Sequence, residues 1–449
     1  MNTPIYDFLT AYAERSGVRF HMPGHKGQGM LGIEALDITE VAGADVLSES
    51  MGIIGESEKN ATALFRSGRT VYSAGGATAA IGAMLALSAE EYRTAERPYI
   101  LAARSAHRSF FQSAALLDIP VKWLIPKSAS TVYSGVMSAE EIAQVLSTAE
   151  KKPFAIYITS PNYLGEIWDI AGIAAVCRTM DIPLLVDNAH GAYLAFLSPS
   201  LHPLHLGATM CTDSAHKTLP VLTGGAYLHI AKEHPRLMAG AKNAMALFSS
   251  TSPSYLILAS LDLANRTLNE NYPSALQKTV ARVLAAKDAL KKSGFYLVGD
   301  EPLKITIADK RAEALGSLLR ENGIEPELCD REHLVLMASA SNKVSDFDKL
   351  LAVLLPLGKN AARPKPSPAP SYGATALSLR EALFALKETI AVKDASGRVY
   401  AEISAICPPA VPIAVCGEVI TDSMVDAFLH NKIQTVAVVK QPCDAKQRG

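Results

Sequence analysis

The sequence predicts a multidomain α/β protein, on the evidence of its length, its composition and its alternating segments. With 449 residues the chain is about three times the ~150-residue prior for one domain. Hydrophobic residues make up 49% of it and charged residues 19%, which excludes disordered and coiled-coil classes. Between residues 71 and 225 short apolar runs alternate with segments of helical spacing, which is typical of a mostly parallel sheet covered by helices.

The predicted strands of this region come in chain order at three apolar runs, residues 99–102, 154–158 and 182–186. Each run is apolar on both faces, as strands are when helices cover both sides of a sheet. Residues 138–148 and 170–180 have the apolar spacing of helices and are predicted to form crossovers between the strands.

A long helix is predicted to lead out of this region, beginning with Ser274 as its N-cap. Lys291 and Lys292 before Gly294 form a stop signal, because cations favour a helix C-terminus and glycine often follows it. We expect the buried face of the helix to carry its apolar residues, Leu276, Val280, Val283, Leu284 and Leu290.

A smaller α/β unit is predicted after this helix. Leu303, Ile305 and Ile307 alternate as in a strand, and residues 334–337 form a second strand. Residues 344–355 have the spacing of a helix.

A proline-rich stretch at residues 364–370 interrupts the pattern and predicts a stiff, extended spacer. Structured sequence resumes after it. We therefore expect three parts: an N-terminal segment with the large domain at residues 1–262, a small α/β domain at 263–360 and a C-terminal domain at 371–449.

Charge and cysteine usage exclude several classes of function. Lys and Arg number 43 and Asp and Glu 44, so no basic excess is available for a nucleic acid or an anionic membrane surface. The N-terminal sequence lacks a basic segment followed by an apolar one, which predicts a cytoplasmic protein. The six cysteines show no zinc-ligand spacing, and no metal site is predicted.

An acidic and a basic side chain follow two predicted strands. Asp187 comes directly after the strand at 182–186, and Lys217 follows a further strand at 210–213. Ligands bind beyond the carboxyl ends of parallel strands, so both residues are expected at one crevice. Such a pair suits pyridoxal phosphate, because the amine can hold the aldehyde as a Schiff base and the carboxylate can keep the pyridine nitrogen protonated. A solvated lysine and a capping aspartate give the same pattern.

A phosphate site is predicted where Gly75 and Gly76 open a helix. Backbone N–H groups at a helix N-terminus bind anions, and Thr78 adds a hydroxyl. An ordinary helix cap has the same glycine pair. His107, just past the strand at 99–102, is placed to stack on an aromatic cofactor ring.

Ten sequence motifs occur in a fixed order along the chain. They are HMPGHKG (21–27), DITEVAGAD (37–45), TSPNYLGEIWDI (159–170), VDNAHGA (186–192), SAHKTLP (214–220), STSPSYLILASLD (250–262), SLREALFALKET (378–389), GRVYAEI (397–403), CPPAVP (407–412) and CGEVIT (416–421). In this order they resemble the Orn/Lys/Arg decarboxylases, pyridoxal phosphate enzymes of the aspartate aminotransferase type (fold type I). The resemblance runs almost from end to end, and the chain looks like the short, biosynthetic form that lacks the N-terminal receiver-like domain. It implies a mostly parallel, seven-stranded type of sheet in the large domain, then a small α/β domain and a C-terminal α/β domain.

The resemblance assigns roles to residues of this sequence. It implies that Lys217 is the Schiff-base lysine, that Asp187 pairs with the pyridine nitrogen, and that His107 and Ala189 lie on the two faces of the ring. His190 would lie near cofactor and substrate. Residues that would hold the phosphate or lie near it are Gly76, Ala77, Thr78, Ser214 and His216.

Five positions depart from the family pattern. We expect them to affect phosphate affinity and substrate identity more than cofactor binding, because the lysine and the aspartate are present. The departures are Asn188 in place of Glu, Ala77 in place of a hydroxyl residue, Gly224 in place of Gln, Ala410 in place of Gly and Cys416 in place of Pro.

The function predicted from the resemblance is decarboxylation of a basic amino acid, with arginine favoured and lysine or ornithine as alternatives. His216 or a residue of a partner subunit is the candidate proton donor. Two other hypotheses stay open: another enzyme of this fold, an aminotransferase or a carbon–sulfur lyase, and a catalytically silent regulatory homologue.

The predicted partners are a small basic substrate and a second copy of the chain. Ser250 and Thr251 resemble residues that reach a neighbouring subunit's site, which predicts a homodimer or higher homo-oligomer with shared sites. A basic substrate needs an anion, and Asp45 and Glu418 are the candidates for that role.

Overall fold

The computed structural model describes residues 1–15, 17–126, 136–365, 371–403 and 412–441. A seven-stranded sheet, a four-stranded sheet and a two-stranded sheet follow one another along the chain. The predicted α/β class is confirmed.

The large sheet has the strand order β1-β7-β6-β5-β4-β2-β3. Neighbours from β3 to β6 are parallel, whereas β7 is antiparallel to both β6 and β1. The strands are β1 Arg69–Ser73, β2 Ile100–Ala103, β3 Val121–Leu124, β4 Ala155–Thr159, β5 Leu184–Asp187, β6 Met210–Asp213 and β7 Ala226–Ile230. The helices of this part are α1 Pro4–Glu14, α2 Ile53–Leu64, α3 Gly76–Tyr92, α4 Arg108–Leu116, α5 Ala139–Ser147, α6 Ile170–Thr179, α7 Ala215–Thr218 and α8 Pro235–Ala246. Short 3-10 helices lie at Ala192–Phe196 and Pro203–Leu206.

Both faces of this sheet are buried, which is why its strands are continuously apolar. In β4, Ala155 and Tyr157 pack into the cluster with α3 and α4, whereas Ile156 and Ile158 pack into the cluster with α5 and α6. A hydrophobic core on each side fixes the register, because a shift by one residue would exchange the two faces.

The long helix predicted after the large domain is α10, Tyr272–Ser293, which follows α9, Tyr255–Glu270. The predicted N-cap is wrong, because Asn271 occupies that position and Ser274 lies inside the first turn. Proline is tolerated in the first turn of a helix, so Pro273 does not prevent the helix from beginning before Ser274. Gly294 ends the helix with φ +117°, as predicted. Leu284 is 55% exposed and does not share the buried face.

The small unit is a four-stranded antiparallel sheet of order β10-β11-β9-β8 with two helices. All five residues of β9, Lys304–Ala308, are buried, not only its aliphatic ones. One face of β9 packs against the helices of the small unit and the other against the large domain. Lys304 and Thr306 lie on the second face, where they donate hydrogen bonds to backbone carbonyls of the large domain. The elements are β8 Tyr296–Val298, β9 Lys304–Ala308, α11 Ala312–Glu321, β10 Leu328–Cys329, β11 His333–Met337, α12 Val344–Leu354 and the 3-10 helix Leu355–Asn360.

The C-terminal unit has its own core around Tyr400 and Phe428. It contains α13 Leu379–Phe384, β12 Lys387–Ala391, the 3-10 helix Val392–Asp394, α14 Asp422–His430 and β13 Thr435–Val439. Most of the predicted spacer (366–370) and of the CPPAVP segment with Ala410 (404–411) lies outside the described residues.

The predicted end of the large domain, residue 262, falls inside α9, which packs against both α1 and α10. Among the described residues, none of the helices is both long and apolar enough to cross a bilayer.

Candidate active site

A cavity of about 240 Å³ lies beyond the carboxyl ends of β4, β5 and β6. The parallel strands deliver their following residues to this edge, which is where ligands bind in such sheets. Its lining includes most of the residues predicted for the cofactor, namely Gly76, Ala77, Thr78, His107, Asp187, Ala189, His190, Ser214, His216 and Lys217.

Asp187 is the last residue of β5 and is 1% exposed. Its Oδ1 accepts a hydrogen bond from the backbone N–H of Ala189 at 3.1 Å, and its Oδ2 one from the Tyr157 hydroxyl at 3.3 Å. Burial raises the pKa of Asp187, and His107 and Lys217 oppose that rise when they are protonated. Each carboxylate oxygen of Asp187 accepts one hydrogen bond here and can accept another. A buried carboxylate of this kind suits a cationic group of a ligand.

Lys217 lies in the short helix α7 that follows β6, with its amine in the cavity. Its Nζ is 3.0 Å from Nε2 of His190. Burial lowers the pKa of Lys217, while Asp187 and Glu327 oppose the change. Lowering this pKa increases the fraction of neutral, nucleophilic amine.

The N-terminus of α3 forms one wall of the cavity, and no side chain caps it. Gly76 has φ +70°, and a Cβ there would meet open space, so any side chain would be strained by the backbone conformation only. The N–H of Gly76 donates to the carbonyl of Gly224 at 2.7 Å. Gly224 itself has φ +98°, a backbone conformation that glycine adopts without strain.

His107 is the N-cap of α4 and is held by a hydrogen-bonded chain that reaches the wall at α3. Its Nδ1 is 2.7 Å from the Ser109 hydroxyl, which in turn is 3.0 Å from the Thr78 hydroxyl. Burial lowers the pKa of His107. The chain therefore links the predicted ring-stacking residue to the predicted phosphate residue.

His216 and Ser214 complete the wall near Lys217. Nδ1 of His216 donates to the carbonyl of Gly225 at 3.1 Å, which fixes the ring at the cavity. Ser214 is the N-cap residue of α7 and is 3% exposed.

Asn188 departs from the family pattern, and the structure gives it a partner. Its Nδ2 donates to Oδ1 of Asp213 at 2.7 Å, and the other oxygen of Asp213 lies 3.1 Å from Nε2 of His202. Burial alone would raise the pKa of Asp213, but His202 and His229 hold it below its usual range. An amide at position 188 can donate to this buried carboxylate, whereas a second carboxylate would repel it.

The comparison with known families decides the relationship. The sequence profile described as "Orn/Lys/Arg decarboxylase, major domain" matches residues 3–310, more than half of the chain. The chain belongs to the Orn/Lys/Arg decarboxylase family.

Two arginine decarboxylases resemble the chain over almost its whole length. An arginine decarboxylase of Bacillus subtilis is 27% identical over 463 residues, covering 96% of this chain and 93% of that protein. An arginine decarboxylase of Halalkalibacterium halodurans is 29% identical over 481 residues, covering 98% and 96%.

Solved structures show the same fold. The lysine decarboxylase LdcF of Francisella novicida matches with a TM-score of 0.79 at 18% identity, covering 98% of this chain and 81% of that one. The constitutive lysine decarboxylase of E. coli matches with a TM-score of 0.77 at 18% identity, covering 98% and 82%.

Four residues predicted for the site lie outside the cavity. Ser250 and Thr251 line a separate cavity of about 170 Å³ beside α8. The carboxylate of Asp45 accepts backbone N–H groups at the start of α2, including those of Gly52 and Ile54 at 2.8 and 2.9 Å. The Asp45 side chain therefore caps the N-terminus of α2.

Glu418 is buried against the loop that follows β2. Its Oε2 accepts a hydrogen bond from Nη2 of Arg104 at 2.7 Å and one from the backbone N–H of Val415 at 3.0 Å. The Arg104 guanidinium also lies 3.9 Å from the ring centroid of Tyr372. Glu418 thus anchors the C-terminal unit to the loop that carries His107, rather than facing the cavity.

Sequence reasoning missed Tyr163, which lines the cavity, and two residues that contact lining residues from outside it, Lys304 and Glu327. Lys304 reaches Nδ1 of His190 at 3.2 Å, Tyr163 packs its ring edge-on against His190 at 5.2 Å, and Glu327 accepts from the Tyr163 hydroxyl at 2.8 Å. The available signal was the lysine between apolar residues in β9, because a lysine inside a buried strand needs a partner.

Proposed function

We propose that this family member is a pyridoxal phosphate-dependent decarboxylase of a basic amino acid, with arginine as the favoured substrate. The observation that carries the proposal is the placement of Asp187, Lys217 and the uncapped N-terminus of α3 around one cavity. The arginine decarboxylases among the relatives favour arginine.

The residues present fit this cofactor. The first-turn N–H groups of α3 lack a capping side chain, and the open space around Gly76 lets a phosphate approach the backbone. Ala77 has no hydroxyl, unlike the residue that is common at this position in the family pattern, but Thr78 and Ser109 each supply a hydroxyl at this wall. Asp187 and Lys217 provide the carboxylate and the amine that hold the ring nitrogen and the aldehyde.

When bound, the cofactor supplies a conjugated ring that absorbs the electron pair left on the substrate's α-carbon as CO₂ departs. The protein's part is positioning and proton transfer. With the cofactor in place, Asp187 would hold a proton on the ring nitrogen, His107 and Ala189 would confine the ring, and His216 is the candidate donor of a proton to the α-carbon.

The direct test incubates the purified chain and pyridoxal phosphate with arginine, lysine and ornithine separately. We expect CO₂ release and the corresponding amine, with the highest kcat/KM for arginine. Transamination products without amine would instead assign the chain to another reaction of this fold.

Glu327 is proposed as the anion that binds the cationic end of the substrate. It bonds to Tyr163, whose ring lines the cavity, and its charge acts on both Lys217 and Lys304. Because Asp45 and Glu418 are engaged elsewhere, Glu327 is the better candidate for this role.

Glu327→Gln is expected to lower kcat/KM for arginine about tenfold, mainly through KM, because a charged hydrogen bond contributes about 1.5 kcal/mol or more. Glu325→Gln is the matched control, since Glu325 pairs with Arg320 at the surface. Steady-state kinetics of both variants measure the effect, and equal KM values in the two would contradict the role of Glu327.

A homodimer with shared sites is proposed for the assembly. The segment between residues 18 and 33 exposes large apolar side chains, among them Val18 (85%), Phe20 (94%) and Met30 (102%). Several large exposed apolar side chains in one segment favour an association surface. We propose a second copy of the chain as its partner, because the segment with Ser250 and Thr251 resembles one that reaches a neighbouring subunit's site.

Mixing two inactive variants tests the shared site. Lys217→Ala and Thr251→Arg should each lose activity, and subunit exchange between them should restore part of it, because one hybrid site regains both residues. Sedimentation of the chain as a monomer at assay concentration, or absence of rescue after proven exchange, would exclude this arrangement.

A further inference from the structure

Lys304 is a buried lysine for which the mechanism above has no role. Lys304 is 2% exposed, and its Nζ lies 3.1 Å from the carbonyl oxygen of Asn162 and 3.2 Å from that of Tyr163. The third neighbour is Nδ1 of His190, at 3.2 Å. Lysine is almost never fully buried without such partners.

Three acceptors match the three N–H donors of an ammonium group. Burial lowers the pKa of Lys304 to about 8, against the opposing charge of Glu301. The ammonium form therefore prevails at neutral pH, and it donates to Nδ1 of His190.

His190 is bonded at both ring nitrogens, and this determines where its proton lies. Burial lowers the pKa of His190 well below its usual value, and the charge of Lys304 acts in the same direction, so the ring is neutral. A neutral imidazole has one N–H. Since Nδ1 accepts from Lys304, the proton is on Nε2, 3.0 Å from Nζ of Lys217.

We propose that Lys304 is a positioning residue that acts through His190 to keep Lys217 a neutral amine. An amine that accepts the Nε2–H of His190 does so with its lone pair, so it cannot be an ammonium. The inference rests on the proposed function, which gives this neutral amine its use: attack on an aldehyde carbon requires the lone pair.

The carboxylates near Lys217 favour its charged form, and this determines the direction in which its pKa should change when Lys304 is removed. Asp187 and Glu327 both raise the pKa of Lys217, while burial lowers it. Without the Lys304 ammonium, the His190 proton can move to Nδ1, and Nε2 then accepts from a charged Lys217. Removal of Lys304 should therefore raise the pKa of Lys217.

The first experiment needs no variant. Nitrogen-15 NMR of the full-length, cofactor-free chain at pH 7 should show His190 with its proton on Nε2 and an unprotonated Nδ1. A proton on Nδ1, or on both nitrogens, would overturn the proposal. This measurement decides even where a substitution at position 304 prevents folding.

The second experiment compares Lys304→Met with Lys287→Met. Lys287 is also a buried lysine of this part of the chain, but it donates to the carbonyl of Glu301 at 2.7 Å and not to His190. Trace labelling of the cofactor-free chains with acetic anhydride between pH 6 and 11, read by peptide mass spectrometry, gives the titration of Lys217.

In Lys304→Met we expect the labelling midpoint of Lys217 to rise by at least one pH unit, with about tenfold less labelling at pH 7.5. Lys287→Met should keep the wild-type profile. Equal profiles in wild type and Lys304→Met would overturn the proposal, as would the same shift in both variants. Because neither readout uses activity, the assay with three amino acids can fail while these results still decide the role of Lys304.

Discussion

Replacing Lys217 by alanine is expected to abolish covalent cofactor attachment and to lower kcat by at least about 10⁴-fold. The Lys217 amine faces the cavity together with Asp187, and no other described lysine lines it. Without this amine the variant lacks the nucleophile that would hold the aldehyde carbon of the cofactor. Borohydride reduction followed by mass spectrometry measures the attachment, and amine release measures turnover.

The Lys217→Ala variant should stay folded, because its Nζ contacts only His190 among the described hydrogen bonds. Lys310→Ala, at an exposed position, is the control and should keep both cofactor and activity. Alanine at position 217 cannot bind the cofactor covalently. Full turnover by the Lys217→Ala variant would therefore show that the lysine assignment is wrong.

Replacing Asp187 by asparagine is expected to leave some cofactor binding but to lower kcat about 10- to 1000-fold. A carboxylate beside a cationic group raises that group's pKa by about 1–3 units, and an amide loses this charge interaction. The fold should survive, since the side-chain oxygen of asparagine can still accept from the N–H of Ala189. Single-turnover kinetics separate this loss from weaker binding.

Near wild-type turnover in Asp187→Asn would contradict the role of the carboxylate. A matched variant, Asp181→Asn, removes an exposed carboxylate that pairs with Arg97 far from the cavity and should leave kcat unchanged. Comparing the two distinguishes a charge needed in the site from a general effect of net charge.

The strand-end residues could be predicted because parallel strands have a fixed polarity. An apolar run such as β5 is recognised from its composition, and its polarity places Asp187 at the carboxyl edge. The same reasoning applies to Lys217 after β6 and to His107 after β2. Local signals failed at the start of α10, where Ser274 is an acceptable N-cap by sequence but the helix begins after Asn271.

Residues that enter the site from other parts of the chain could not be predicted in this way. Lys304 reaches His190 only because β9 packs against the large domain, and Glu327 approaches through Tyr163. The carboxylates of Asp45 and Glu418 lie in family-like segments, yet one caps a helix and the other pairs with Arg104. Sequence spacing does not encode which of several carboxylates the folded chain leaves free.

The sequence by itself determined the α/β class, the family and the positions of Asp187 and Lys217 at the ends of β5 and β6, because periodicity, motifs and strand polarity are local properties. The tertiary structure alone decided which buried charges meet. It paired Arg104 with Glu418, and it placed His190 between Lys217 and Lys304. Electrostatic partnership depends on distances of a few ångströms between segments far apart in the chain, and in a buried site of low dielectric those distances set each pKa.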